Sequence, residues 1–518
     1  MSTAVALKHN QYYDSVFLMR IAQRMSKEPG IEQAAAIMGS EKNKGLLARA
    51  GFSGPEISKA TASDLVVGVK AESQERADAV LGQLDEWLQQ KQGEAKQAAY
   101  HTLEQALQAQ PQSNVAVISV PGEYAAREAR LALQRGLNVF LFSDNVSIEK
   151  EIELKKLARQ SGLVVMGPDC GTAIIGGVGI GFANAVRRGN IGVIGASGTG
   201  LQEVTSLVHA GGLGISHAIG TGSHDLLDSI GGVTTLDAID ALEADIGTAV
   251  MVCISKPPGV NTMTRVMERL DRCKKPVVMC FLGIKEGVIG GGHRFLVAGT
   301  LDEAAALAVS KAGGLQSSII SQEQDGLISD LVARESARLR PDQRYVRGIF
   351  AGGTFCYQAQ QVLRDAGIDV HSNGPLEPHL ALTDPDRSVE HTLVDMGADE
   401  FTAGQPHPMI DSTLRRQRIL RESEDPSIAV LLLDFVLGYG AADDPAGDLA
   451  EVISSAKAEA AQRGGYLSVA ASICGTEGDP QGKERQKRTL EQAGALVFIS
   501  SAQAARFCAR LIKDKRHE

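Results

Sequence analysis

Residues 191–212 read IGVIGASGTGLQEVTSLVHAGG, and residues 347–367 read RGIFAGGTFCYQAQQVLRDAG. Each begins with an apolar run of strand length, passes through a Gly-rich turn and continues with helical periodicity. Laid over one another, they align Ser197-Gly198-Thr199 with Gly352-Gly353-Thr354, and farther on AVMVCIS (249–255) aligns with AVLLLDF (429–435). The repetition predicts two copies of one flavodoxin-like domain, each a parallel sheet covered on both faces by helices. The blander reading of the same similarity is that all doubly wound domains share this pattern.

A Gly-rich turn between strand and helix leaves the first helical amides unpaired and aimed at one spot, where the helix dipole is also positive. Such a spot binds phosphate or carboxylate, and the hydroxyls of Ser197, Thr199 and Thr354 add donors. Two such helix starts facing each other make one oxyanion cage from Ser197, Gly198, Thr199, Gly352, Gly353 and Thr354. A dinucleotide reading of GASGTG (195–200) is weaker. The next strand, ISHAIG (215–220), ends without an acidic residue for a ribose hydroxyl, and a Walker G-K-[ST] motif is absent.

Upstream, NVAVISV (114–120), NVFLFS (138–143) and LVVMGPDCGT (163–172) alternate with helical stretches at 123–134 and 147–161, which predicts a Rossmann-like half domain. The first hundred residues read as a small ferredoxin-like α+β unit with strands at 4–8, 31–38 and 65–70 and helices from Ser15 and Glu75. The fold class is thus α/β: a small α+β domain with a Gln- and Ala-rich helical linker (1–112), the Rossmann-like segment (113–187), a first flavodoxin-like domain (188–312), a polar connecting segment (313–344) and a second flavodoxin-like domain (345–518).

Composition narrows the function. The chain has 518 residues, a net charge of −10 and no basic run, so nucleic acid and anionic lipid are not expected partners. Aromatics are few, with one Trp, eight Tyr and thirteen Phe, which disfavours base-stacking or sugar-stacking clefts. Seven cysteines without C-x-x-C spacing fit a reduced compartment and argue against zinc, and the sequence shows neither a signal-peptide pattern nor a long apolar span. The expectation is a cytoplasmic protein with small-molecule partners, no metal and no membrane.

Residues 114–175, with their closing MGPDCGT, resemble the second half of the CoA-binding domain of the succinyl-CoA synthetase α subunit; RGNIGVIGASGTGLQE (188–203) resembles its ligase domain, and 345–510 resembles the carboxy-terminal domain of the β subunit. The whole chain resembles the FdrA family of succinyl-CoA-synthetase-like acyl-CoA synthetases, on MGPDCGTAI, GNIGVIGASGTG, SKPP, PHPMID and GTEGDP. The resemblance implies exchange of an acid, a phosphoryl group and CoA at the two facing helix starts, with a loop histidine as phosphoryl carrier. It also implies CoA or nucleotide held by the family's machinery or by a partner subunit, and an oligomer. The chain departs from the pattern in three places. The CoA-gripping Gly-rich turn has no match, no ATP-grasp domain precedes the β-like segment, and Lys256, in Ile254-Ser255-Lys256-Pro257-Pro258, stands where the ligases carry a strand-end Glu.

Lys256 is the candidate catalytic cation, set against a surface lysine closing a strand. Asp169 and Cys170 are candidate binding residues, with a structural role for Cys170 as the alternative. His293, in GGGHRFLVAG, matches the carrier loop poorly. His407 and Asp411 in a Pro-punctuated loop are equally read as turn-locking or ligand-contacting, and Glu477 and Asp479 as turn residues rather than a metal site. Three functions follow: an acid–thiol ligase component working through an acyl phosphate; a transferase subunit forming carbamoyl phosphate or an acyl phosphate from a ureido or acyl substrate, as FdrA relatives linked to oxamate carbamoyl transfer in purine-ureide breakdown imply; or a non-catalytic scaffold sensing a metabolite.

Overall fold

The two Gly-rich turns open two parallel sheets of the same strand order. In the first, Ile215–Gly220, Arg188–Gly195, Val250–Ser255, Val277–Phe281 and Leu296–Val297 lie side by side in that sequence; in the second, Thr392–Asp395, Tyr345–Phe350, Ile428–Val436, Ser468–Cys474 and Leu496–Phe498 do so. Numbered along the chain, both are 2-1-3-4-5, the flavodoxin-like order, in which the crevice beside strand 1 at the carboxyl edge is the place for a ligand. A short strand, His371–Ser372, extends the second sheet at its edge, and an antiparallel hairpin, Thr172–Ile175 with Val178–Gly181, extends the first beyond Ile215–Gly220.

The computed structural model describes residues 2–11, 13, 15–90, 100–284, 292–313, 322–402 and 406–517. They form two units: Met1–Asn114 together with Ala398–Asp411, and Val115–Gly397 together with Ser412–Glu518.

In the first unit Leu65–Ala71 is the central strand of an antiparallel sheet, flanked by Ser2–Lys8 and Ile31–Met38. Helices Ser15–Ser26 and Gln74–Gly82 pack on one face over a core that includes Leu18, Met25, Val67, Val69 and Trp87. The expected helical linker is seen on either side of residues 91–99, as Leu84–Gln90 and Leu103–Ala109; the nine residues between lie outside the described residues.

The second unit also contains the small parallel sheet Val115–Ile118, Asn138–Leu141, Val165–Met166, with helices Gly122–Gln134 and Ile148–Gln160 as crossovers. One expectation moves. After ISHAIG the sequence reads as a helical stretch from Ser223, but the helix begins at Val233, after Gly231 and Gly232 at φ 78° and 70°. The Asp225 carboxylate fixes that later start by accepting from the amides of Thr234 (3.0 Å) and Thr235 (2.9 Å), so 223–230 is a run of turns. Among the described residues no helix is long and apolar enough to cross a membrane. All seven cysteines are free and buried.

Candidate functional site

Strand Arg188–Gly195 delivers the chain to Ser197, which adopts an extended backbone and caps helix Gly198–Ala210 by accepting from the Gly200 amide at 3.1 Å. Strand Tyr345–Phe350 delivers the second turn in the same way, with Gly352 in the cap position of helix Gly353–Asp365. The two starts meet: the Ser197 and Thr354 hydroxyls are hydrogen-bonded to each other. Of the six residues expected to form one cage, the structure therefore joins the two turns through Ser197 and Thr354. Thr199 is half-buried on the first turn of its helix.

Both turns are glycine for want of room. A Cβ on Gly198 would stand 3.0 Å from the Thr172 hydroxyl, and one on Gly353 would run into the Asp395 carboxylate. The second start is charged differently from the first. Asp434 lies in a nine-residue strand that is buried throughout, and its carboxylate accepts from the Ala351 and Gly352 amides at 2.7 and 2.8 Å. Arg415 pairs with it at 3.1 Å and also donates to the Ile349 and Asp434 carbonyls. Burial pushes the Asp434 carboxyl up and the Arg415 guanidinium down, while each partner's charge opposes the change in the other. Asp395, at the end of the neighbouring strand, accepts from the Gly397 amide at 2.9 Å.

Lys256 follows strand Val250–Ser255, whose Ile254 pairs with Gly195 at the carboxyl edge. It is exposed, and its ammonium stands 5.6 Å from the ring centroid of Tyr357 on the second helix. Its charge also reaches the buried Cys356 thiol one residue earlier on that helix. The lysine of the first domain thus overhangs the helix of the second.

His293 lies at the other edge. Helix Val260–Asp271 leaves the carboxyl edge and runs back, so Asp271 ends at the amino edge, where strand Leu296–Val297 begins. There the His293 ring contacts the Asp271 carboxylate at 2.6 Å and stacks on Phe295 with centroids 4.7 Å apart. The histidine and the paired helix starts are on opposite edges of one sheet.

Asp169 is exposed at φ 54°, and its amide donates to the Ser143 carbonyl at 3.0 Å. Cys170 is 2% exposed in a small core with Phe140 and Ala173, and burial pushes its thiol up to about 12, which leaves no useful thiolate near neutrality. Asp479 is taken up in folding: it accepts from Asn184 Nδ2 (2.9 Å), Ala185 N (2.6 Å) and Thr476 N (2.7 Å). His407 Nδ1 accepts from the Met409 amide at 3.2 Å, and the His407 carbonyl accepts from the Ile410 and Asp411 amides, a locked turn within the first unit.

Sequence reasoning passed over Thr172, Tyr357 and the Arg415–Asp434 pair. Asp434 carried a signal, since a lone carboxylate inside IAVLLLDFV must find buried partners. Arg415 and Tyr357 sit on helical faces that nothing in the sequence singles out.

Residues 349–511 match the family described as CoA-ligase, residues 186–283 that described as CoA binding domain, and residues 1–114 that described as AllF, heavy metal-associated domain. The chain is similar to the uncharacterized protein YahF of Escherichia coli strain K12, 45% identical over 97% of both chains. It is 26% identical to the ADP-forming sulfoacetate-CoA ligase subunit SauD of Bilophila wadsworthia over 42% of this chain and 76% of that one. The succinate–CoA ligase [ADP-forming] subunit alpha 1 of Archaeoglobus fulgidus is also 26% identical, over 36% of this chain and 62% of that subunit.

These matches make the chain an acyl-CoA-synthetase-like enzyme of α/β fold with CoA-binding and CoA-ligase domains. Metal binding does not fit residues 1–114, which contain no cysteine; among the described residues no group of three or more His, Cys, Asp or Glu side chains is placed to hold an ion.

Proposed function

This chain belongs to the same family as YahF of Escherichia coli, and from that premise we propose that it is an FdrA-type component of an acid–thiol ligase, holding the phosphoryl group of an acyl phosphate at the paired helix starts. The observation that carries the proposal is the Ser197–Thr354 hydrogen bond, which brings two helix N-termini from two domains to one point. Unpaired amides, two hydroxyls and converging dipoles favour a compact oxyanion there. Lys256, exposed at the carboxyl edge with its ammonium 5.6 Å from the Tyr357 ring of the second helix, neutralises charge building on the phosphate as the thiolate of CoA attacks the acyl carbon and the phosphate leaves. CoA is the co-substrate in this reading, and nucleotide enters through a partner subunit.

A second reading, transfer of a carbamoyl group through carbamoyl phosphate, is favoured by the position of His293. Pinned to Asp271 at the amino edge, it is badly placed to carry a phosphoryl group to the cradle, and carbamoyl phosphate chemistry needs no such carrier. Phosphorus NMR on the purified protein with its co-purifying subunits tests both. The expected result is turnover of a phosphorus species either with CoA, nucleotide and a carboxylic acid or with carbamoyl phosphate and oxamate. No turnover in either mixture, with phosphate still bound, would leave a metabolite-sensing scaffold as the function.

A further inference from the structure

The first residue of the antiparallel hairpin, Thr172, carries a hydroxyl with no explanation inside the folded chain. Thr172 is 2% exposed, and its Oγ1 makes no hydrogen bond. Its backbone is well used: the carbonyl accepts from the Cys170 thiol at 3.6 Å, and the residue is registered against Gly181 across the hairpin. The side chain reaches Gly198, the first residue of the first cradle helix, with Oγ1 3.0 Å from where a Cβ on that glycine would stand. Valine would fill the same space with an equal liking for strand geometry and leave no polar atom stranded. A buried hydroxyl that ignores every neighbour and sits against an anion-attracting helix start is satisfied only by something that binds there.

We infer that Thr172 is a further ligand-binding residue, donating its hydroxyl proton to a tetrahedral oxyanion held at the start of helix Gly198–Ala210. This rests on the cradle reading above and adds to it a donor from a third chain segment. Ser197, Thr354 and Thr172 come from a helix cap, a second domain and a hairpin, so three separate chain segments each bring a hydroxyl to the helix starts. Three hydroxyls beside the helix amides suit the several oxygens of a phosphate better than the two of a carboxylate.

The inference separates two quantities that a packing role would move together. Because the hydroxyl is unsatisfied in the free protein, Thr172→Val should leave the thermal midpoint of the phosphate-free chain unchanged or raise it. The same substitution should weaken inorganic phosphate binding by about tenfold or more, the loss expected for one hydrogen bond to a charged ligand. Thr172→Ser should restore affinity to near that of the unaltered protein. Isothermal titration with inorganic phosphate and thermal unfolding of the full chain read both quantities. Unchanged phosphate affinity in Thr172→Val, beside clear binding by the unaltered chain, overturns the assignment and leaves the cradle reading intact. A lowered midpoint with unchanged affinity overturns it equally, in favour of packing. Failure of the unaltered chain to bind phosphate overturns the cradle reading itself, and this assignment with it.

Discussion

Ser197 and Thr354 stand 157 positions apart and share one hydrogen bond between their hydroxyls, each at the start of a thirteen-residue helix. Two helix N-termini brought together place like partial charges side by side, of about half an elementary charge each, an arrangement that a bound anion relieves. The second start is already eased by Asp434, which Arg415 holds in place, whereas the first has the Ser197 hydroxyl as its cap. The two starts are thus dressed unequally: a buried carboxylate at the second, where Lys256 also overhangs Tyr357, and a hydroxyl cap alone at the first.

Lys256→Met should leave folding intact and remove activity. The side chain is exposed, so stability should change by no more than about 0.5 kcal/mol. Turnover, assayed with the natural partner subunits, should fall by roughly two to three orders of magnitude, the usual loss when one preorganised stabiliser of developing charge goes. Lys256→Arg should restore it only in part, because a planar fork places its charge differently from an ammonium. Full turnover in Lys256→Met would return Lys256 to the surface.

His293→Gln should keep turnover. The ring is engaged with Asp271 and Phe295 at the amino edge, so its loss costs a half-exposed ion pair of about 1 kcal/mol or less and nothing at the cradle. Mass spectrometry under alkaline conditions, after exposure to nucleoside triphosphate or acyl phosphate, should find no phosphate on His293. A phosphorylated His293, or a dead glutamine variant, would reinstate a histidine carrier.

Glu203 gives the fold a signature in pH. It is buried on the first cradle helix, accepting from the Ser501 amide and hydroxyl at 2.8 Å each, and burial pushes its carboxyl up to about 7. The folded chain therefore holds a proton that the unfolded chain releases near the ordinary glutamate value. Between that value and about 7 the folded state binds more protons, so this residue's contribution to stability falls as pH rises through the window and levels off above it. Glu203→Gln should be at its most favourable relative to the unaltered chain above pH 7, and should lose that advantage on acidification. Parallel unfolding curves for the two proteins across pH 5 to 8 would count against a raised Glu203.

The architecture was largely legible because the repeat was local. Apolar strands, Gly-rich turns and amphipathic helices follow one another within some twenty residues, and IGVIGASGTG and RGIFAGGTF carry that order in plain form. The two Gly-rich turns that open the helices were legible for the same reason, since a helix start exposes its own amides whatever surrounds it. What the sequence hid was long-range. Thr172 matters only because the hairpin lays it against Gly198, and Tyr357 only because Lys256 of the other domain overhangs it. The helix expected from Ser223 was misplaced because Asp225, a capping acid, sits nine residues before the amide it binds. His293 looked close to the site in sequence and lies at the far edge because a parallel crossover returns the chain across the sheet.

The most direct test of a single oxyanion held between the two helix starts is the phosphate affinity of Ser197→Gly, Thr354→Val and the double variant beside the unaltered chain. Glycine is chosen because it already caps the second helix and costs a cap only a few tenths of a kcal/mol. If one anion bridges both turns, each single change should weaken binding about tenfold, and the double change should lose less than the product of the two, since both hydroxyls serve one ligand. Two binding events, each weakened by only one of the two changes, would mean two separate sites, and affinity untouched by either change would mean that phosphate does not bind at the paired helix starts.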